Sequence, residues 1–204
     1  MSALAVSKVS NVAALYVDPR GPYPALVEHW WDEARDAKTY DGPWPVVAHP
    51  PCGAWGNLRH LNQRDDADCG PRAVEQVRMW GGVLEQPRGS KLWERMGVPE
   101  PYALNYEGPD GGFSVEVEQV SWGHVARKKT WLYFVGIEYQ AVIDGLRFGG
   151  TPTHWASGMG PHPRKGSGGF VPPGIKVCSA QQRRRTPPAL AQWLVELASQ
   201  AVRR

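Results

Sequence analysis

The stretch WPVVAHPPCGAWGNLRHLNQRDDADCGPRAVEQVRMWGGVLEQP, residues 44–87, decides how the chain folds. WPVVAH (44–49) is a short apolar run that stops at Pro50 and Pro51, which cannot continue a sheet ladder. PRAVEQVRMWG (71–81) places Val74, Val77 and Trp80 on one helical face and ends at Gly81 and Gly82. GVLEQP (82–87) is a second buried strand. Strand, helix and strand in that order imply a parallel pair joined by a right-handed crossover.

Working outward, VAALYV (12–17) reads as a strand ending at Asp18-Pro19. PALVEHWWDEARDA (24–37) has Leu26, Trp30 and Ala34 at helical spacing, with Pro24 suited to a first turn, and predicts a helix. SKLWERMG (90–97) predicts a short helix capped by Ser90. FSVEVEQVSWG (113–123) alternates, and KTWLYFVGI (129–137) is a further strand. TPPALAQWLVELASQAV (186–202) predicts a helix with Thr186 as cap and Leu190, Leu194, Leu197 and Ala201 on one stripe. The fold class expected is α/β: a Rossmann-like, mainly parallel sheet with flanking helices. It occupies residues 1–145. A Gly/Pro-rich loop or small basic recognition region covers 146–182, and 183–204 form a C-terminal helix packing back on the catalytic domain.

Apolar content of 42% and charged content of 21% fit a globular chain, and no stretch approaches the roughly 18 apolar residues of a membrane span. Three cysteines are too few and too odd in number for a disulfide framework, which points to a reducing, cytoplasmic setting. Charge is unevenly placed: residues 147–204 carry nine Lys or Arg against one acid, while residues 1–146 carry fourteen against nineteen. A basic C-terminal third on an acidic body suits a polyanionic partner or a solvated tail.

Cys52 directly follows the end of a strand, where open parallel sheets place their ligands, and Glu85 lies at the end of the next strand. A thiol there is placed for attack, and an acid beside it can hold or protonate a substrate. A small buried hydrophobe is the plainer reading of a lone cysteine. The set His49, Cys52, His60 and Cys69 matches no standard zinc spacing. Trp30, Trp31, Trp44 and Trp55 flank the expected pocket, as core or as stacking surfaces; His162 carries no recognisable ligand set, and His124, beside Gly123, is a candidate acid or base or a structural histidine.

These residues resemble the DNA cytosine C5-methyltransferases. HPPCGAWG is similar to that family's Pro-Cys motif after a strand, and GGVLEQP to its Glu-Asn-Val motif, with Gln86 and Pro87 in place of the last two residues. VSWGHVARKKTWLYFVG resembles its basic element and following strand, and RRRTPPALAQWLVELA its closing arginine-bearing segment and helix. The resemblance implies that Cys52 attacks C6 of a flipped pyrimidine while Glu85 holds the base, with Arg127 and Lys129 as cationic support. It implies S-adenosylmethionine as cofactor, bordered by Asp18, Pro50 and Pro51, and DNA as partner, held by Lys128, Arg183, Arg184 and Arg185. The nucleophile needs a depressed thiol pKa. The chain departs from the family at its first strand, which ends in YVDPRGPYP rather than a Phe-x-Gly-x-Gly loop. Only 28 residues separate Val17 from Val46, room for one helix and no further strand. The expectation is a transferase of compact, phage-type size. A pyrimidine-nucleotide modifying enzyme using another donor, and a catalytically silent DNA-binding relative, are the alternatives.

Overall fold

The computed structural model describes residues 7–102, 108, 110–156, 174 and 176–202. A six-stranded sheet runs through it in the order β2-β1-β3-β4-β6-β5. The strands are β1 (Val9–Leu15), β2 (Val27–Trp31), β3 (Val46–Ala48), β4 (Gly82–Pro87), β5 (Phe113–Glu118) and β6 (Lys129–Val135). The first four are mutually parallel, and β6 is antiparallel to both β4 and β5.

Alternation along the strands sends side chains to two cores. Val12, Ala14, Val47 and Val83 share one apolar cluster, and Ala13, Leu15, Val46, Ala48 and Leu84 the other. Helices α1 (Tyr23–Leu26), α4 (Tyr139–Asp144) and α6 (Pro188–Ala198) contribute buried residues to the first, and α2 (Cys69–Trp80) and α3 (Leu92–Met96) to the second. The central strands are apolar on both faces because both are covered. α6 closes its side of the sheet with Trp193, stacked on Trp122 at 4.6 Å and edge-on to Phe134 at 6.4 Å.

The expected helix over 24–37 is replaced by the single turn of α1 followed by β2. Val27, Trp30 and Trp31 favour a pleated surface, and their ladder with Val9, Ala14 and Leu15 of β1 overrides the helical spacing. The interval between Val17 and Val46 therefore does hold a further strand. Ser90 sits one residue before the N-cap of α3 and accepts from the Leu92 N–H at 3.4 Å, while Pro187 rather than Thr186 precedes α6. The alternating run from 113 ends as a strand at Glu118 and tightens into a 3₁₀ turn over Gln119–Trp122.

Of the Gly/Pro-rich region, residues 157–173 and 175, including His162, lie outside the described residues. On either side of them β7 (His154–Trp155) and β8 (Lys176–Val177) pair in parallel, and Ala126 bridges to His154. No helix among the described residues is long and apolar enough to cross a membrane.

Candidate active site

The chain leaves β1 toward β2 on one side of the sheet, then returns to place β3 on the other. This reversal makes the carboxyl ends of β1 and β3 the topological switch point, the crevice where open α/β sheets receive ligands. Tyr16, the first residue beyond β1, has φ of 59°, a left-handed conformation costly for a tyrosine. Its hydroxyl donates to Gln76 Oε1 at 2.8 Å, and Gln76 Nε2 donates to the carbonyls of Ala37 and Tyr40 at 2.9 and 3.1 Å.

From the end of β3 the loop is fixed residue by residue. His49 N–H donates to Leu15 O at 3.0 Å, the last tie to β1. Pro50 then presents its carbonyl to Gln86 Nε2 at 2.6 Å, and Gln86 is fully buried in β4. Cys52 O accepts from the N–H groups of Trp55 and Gly56 at 3.2 and 2.7 Å, closing one tight turn, and Trp55 O accepts from Lys91 N–H at 2.9 Å. A Cβ at Gly53 would lie 2.5 Å from Asn62 Oδ1, so any larger residue there displaces the Asn62 side chain. The result holds Cys52 at an exposed rim position on a rigid turn.

Glu85, 7% exposed, lies beneath it on β4. Three donors converge on its carboxylate. Gln119 Nε2 donates to Oε1 at 3.0 Å, Lys128 Nζ stands 3.4 Å from Oε1, and His49 Nδ1 stands 3.4 Å from Oε2. Behind His49, the Tyr23 hydroxyl meets Nε2 at 2.5 Å. The ring thus turns Nδ1 to Glu85 and Nε2 to Tyr23, so both of its nitrogens are engaged. Gln119 Nε2 also donates to Thr130 Oγ1 at 2.9 Å, which fixes the amide orientation. Burial pushes the Glu85 carboxyl up, but Lys128 and His49 outweigh it and hold it down at about 2. The carboxylate is therefore ionised at neutral pH, with three donors around it.

Cys52 is coupled to the same group. Although the residue is exposed at the surface, the protein crowding its thiol strips water from it, and this and then Glu85 push the thiol above the ordinary range; Lys128 and Arg184 pull the other way without reversing it. The depressed thiol expected of a resting nucleophile is not what this environment produces. Cys52, Glu85 and Lys128 thus lie within electrostatic reach of one another at one edge of the sheet.

The other sequence-expected residues divide around this centre. The three adjacent cations at the start of β6 go to different carboxylates. Lys128 turns to Glu85, whereas Arg127 pairs with Glu118 at 3.2 Å and Lys129 with Glu116 and Glu118, each at 3.7 Å. The cation on the Glu85 carboxylate is thus Lys128, expected on nucleic acid, and not Arg127 or Lys129. Asp18 lies in the turn beyond β1, closed on itself: its carboxylate accepts from the Arg20 N–H at 2.9 Å and from Arg20 Nε at 3.2 Å. Those bonds hold the carboxyl below its usual range. Pro50 is buried and Pro51 half-buried where the chain enters the Cys52 turn.

Arg183 and Arg184 form the last turn of α5 (Ala180–Arg184), and Arg185 follows as its C-cap. A reciprocal cap between Ser179 and Gln182 starts this helix, and His124 anchors it. The buried His124 ring accepts from Ala126 N–H at Nδ1 across 3.0 Å and meets Gln182 O at Nε2 across 3.0 Å. That role is structural, and it sets Arg184 near the Cys52 thiol. Among the tryptophans, Trp30 and Trp31 are covered by the Arg35 guanidinium at 5.3 and 4.9 Å. Trp44 stacks with His29 at 6.1 Å, and Trp55 Nε1 donates to Ala67 O at 3.1 Å.

Gln119 and Tyr23 are the site residues that sequence reading passes over. Gln119 had a signal: it continues the odd-numbered, inward phase of Phe113, Val115 and Val117, where a polar residue is out of place. Tyr23 had none, because its helix was placed over the wrong residues. Among the described residues no group of three or more His, Cys, Asp or Glu side chains gathers to hold a metal ion. Comparison with known proteins gives no matching family model, no matching curated protein and no matching solved structure.

Proposed function

We propose that this chain is a DNA base-modifying transferase resembling the cytosine C5-methyltransferases. Cys52 adds to C6 of a pyrimidine flipped out of the duplex, and Glu85 holds the base. The observation that carries the reading is the assembly of Cys52, Glu85 and Lys128 at the carboxyl edge of β3 and β4. C5 of cytosine is too weakly nucleophilic to attack a donor unaided; addition of a thiolate at C6 turns the ring into an enamine with a nucleophilic C5, dividing one hard step into two. A carboxylate held by three donors keeps one of its roughly four lone-pair sites as a fixed acceptor for the exocyclic amine. Arg183, Arg184 and Arg185 supply phosphate contacts at the mouth of the site, and the segment 146–182 supplies recognition.

The group donor is a separate matter. The turn beyond β1 does not offer S-adenosylmethionine a cradle: Asp18 is committed to Arg20, and Gly21 N–H to Asp18 O at 2.8 Å. A Cβ on Gly21 would already lie 3.0 Å from Asp18 O, so the glycine closes a turn rather than opening space for a ligand. The aromatic faces at the end of β2 are covered by Arg35. These observations favour a donor other than S-adenosylmethionine.

The test is DNA carrying 5-fluorocytosine, incubated with wild-type protein and with Cys52→Ala, each with and without S-adenosylmethionine, and read by intact mass. A trapped adduct that requires Cys52 supports the base chemistry. Dependence on S-adenosylmethionine would make it the donor against the reading of the β1 turn; independence directs the search to another one-carbon or group donor. No adduct in any sample, with steeply salt-sensitive duplex binding intact, would support the silent DNA-binding alternative.

A further inference from the structure

Addition of a thiolate to C6 of cytosine moves the C5=C6 π pair to C4–C5 and the C4=N3 pair onto N3. A proton must then reach N3, beside which the exocyclic amine points its own hydrogens outward. The edge of the ring therefore presents a donor, the amine, next to an acceptor, N3. A carboxylate next to an ammonium is complementary to that edge.

Glu85 and Lys128 form such a pair, with Lys128 Nζ 3.4 Å from Glu85 Oε1 and its side chain only 17% exposed. Glu85 is an acceptor on every side, since Gln119, His49 and Lys128 all direct N–H groups at it. Of those donors, Gln119 Nε2 is divided between Glu85 and Thr130 Oγ1, and His49 is locked between Glu85 and Tyr23. Lys128 has three N–H bonds, Glu85 is the one carboxylate its ammonium meets among the described residues, and its charge reaches the Cys52 thiol. It is the donor with hydrogens to spare at the place where the ring would stand.

We propose that Lys128, not Glu85, delivers the proton to ring N3 as Cys52 adds to C6, and that Glu85 accepts a hydrogen bond from the exocyclic amine. The inference rests on the pyrimidine chemistry proposed above. The step balances without a further reagent. The S–C6 bond forms, the thiol proton leaves to water, one proton passes from Lys128 Nζ to N3, and the neutral Lys128 amine recovers a proton from water. Lys128 is then a catalytic residue, and Glu85 reads the base.

Two donor-free readouts separate these roles. Cytosine C5–H exchange with D₂O reports reversible addition to the natural ring. A 2-pyrimidinone ring, which keeps N3 and lacks the amine, traps the thiol as an adduct read by intact mass. Duplexes carry either ring in pooled random contexts and are tested with wild type, Lys128→Met, Lys128→Arg and Glu85→Gln. Lys128→Arg retains the ion pair and the fold, checked by thermal melting, but gives up its proton far less readily. We expect both lysine variants to lose about 100-fold or more in both readouts, the scale of a general acid. Glu85→Gln loses cytosine exchange while its 2-pyrimidinone adduct stays within a few-fold of wild type. Wild-type adduct levels in Lys128→Arg, or equal loss of both readouts in Glu85→Gln, would overturn the assignment and leave the pyrimidine reading standing. No Cys52-dependent signal in the wild type with either ring would overturn both.

Discussion

Gln86 donates from Nε2 to the carbonyl oxygen of Pro50 across 2.6 Å, tying the turn that carries Cys52 to the strand that carries Glu85. Ser90 Oγ completes the arrangement by meeting Gln86 Oε1 at 3.3 Å. Two proteins differing only in this amide would hold the same residues at the site with different precision. Gln86→Leu keeps the volume of a fully buried side chain and leaves Pro50 O unpaired. The expected cost is about 1–3 kcal/mol in urea unfolding. Iodoacetamide should also label Cys52 several-fold faster, because the turn is released; an unchanged labelling rate would mean that the Trp55 and Gly56 bonds to Cys52 O suffice.

The buried Glu85 carboxyl makes stability depend on acid. Its folded pKa of about 2 lies below the ordinary carboxylate value of 4.5, so its contribution is fully present above pH 4.5 and is lost as pH falls toward 2. The gap corresponds to about 3 kcal/mol. Urea midpoints measured from pH 6 to pH 2 should fall in wild type by that increment more than in Glu85→Gln, whose side chain does not titrate. Parallel curves for the two proteins would show that Lys128 and His49 do not hold the carboxyl down.

The centre of this fold is legible in its sequence because its signals are local. β4 spans the expected residues, and α2 and β6 lie within two residues of expectation. β2 was hidden because Leu26, Trp30 and Ala34 satisfy a helical period while β1 decides their conformation through its unpaired edge, a non-local partner. The pair Cys52 and Glu85 was readable from strand ends alone. Which of three adjacent cations meets Glu85 was not legible, because Arg127 and Lys128 precede β6 and their partners, Glu118 and Glu85, lie on other strands.

Gly82 opens β4 opposite Val46 of β3 with φ of 115°. A Cβ there would lie 2.0 Å from Val46 O and 2.7 Å from Val46 N, backbone atoms that cannot move without breaking the β3–β4 ladder. Gly82→Ala should therefore lose more than about 4 kcal/mol and give little soluble, folded protein. Gly97 also has positive φ, of 59°, but meets nothing within 4 Å. Gly97→Ala should cost only about 1–2 kcal/mol, the strain of the left-handed conformation itself. Far-UV circular dichroism and thermal melts of the two proteins check the contrast; equal losses would mean that backbone strain, not the contact with Val46, governs Gly82.

The reactivity of Cys52 should report the charges around it. Burial and Glu85 raise the thiol pKa, while Lys128 and Arg184 lower it. Alkylation rates measured against pH should therefore rise through a midpoint above that of an ordinary thiol. Removing the negative charge with Glu85→Gln should move that midpoint down, and removing a positive charge with Lys128→Met should move it up. Arg184→Ala should move it up by less, since Arg184 is the weakest of these influences. Each shift is expected to shrink in high salt to the extent that the rim position of Cys52 lets ions approach. A midpoint that ignores all three substitutions would separate Cys52 from Glu85 and Lys128 and remove the basis for their joint action on a substrate. Shifts of the stated signs would show that the base-holding carboxylate works against thiolate formation. The ring must then weaken that opposition when it binds, because the amine it brings to Glu85 partly neutralises the charge that holds the thiol proton in place.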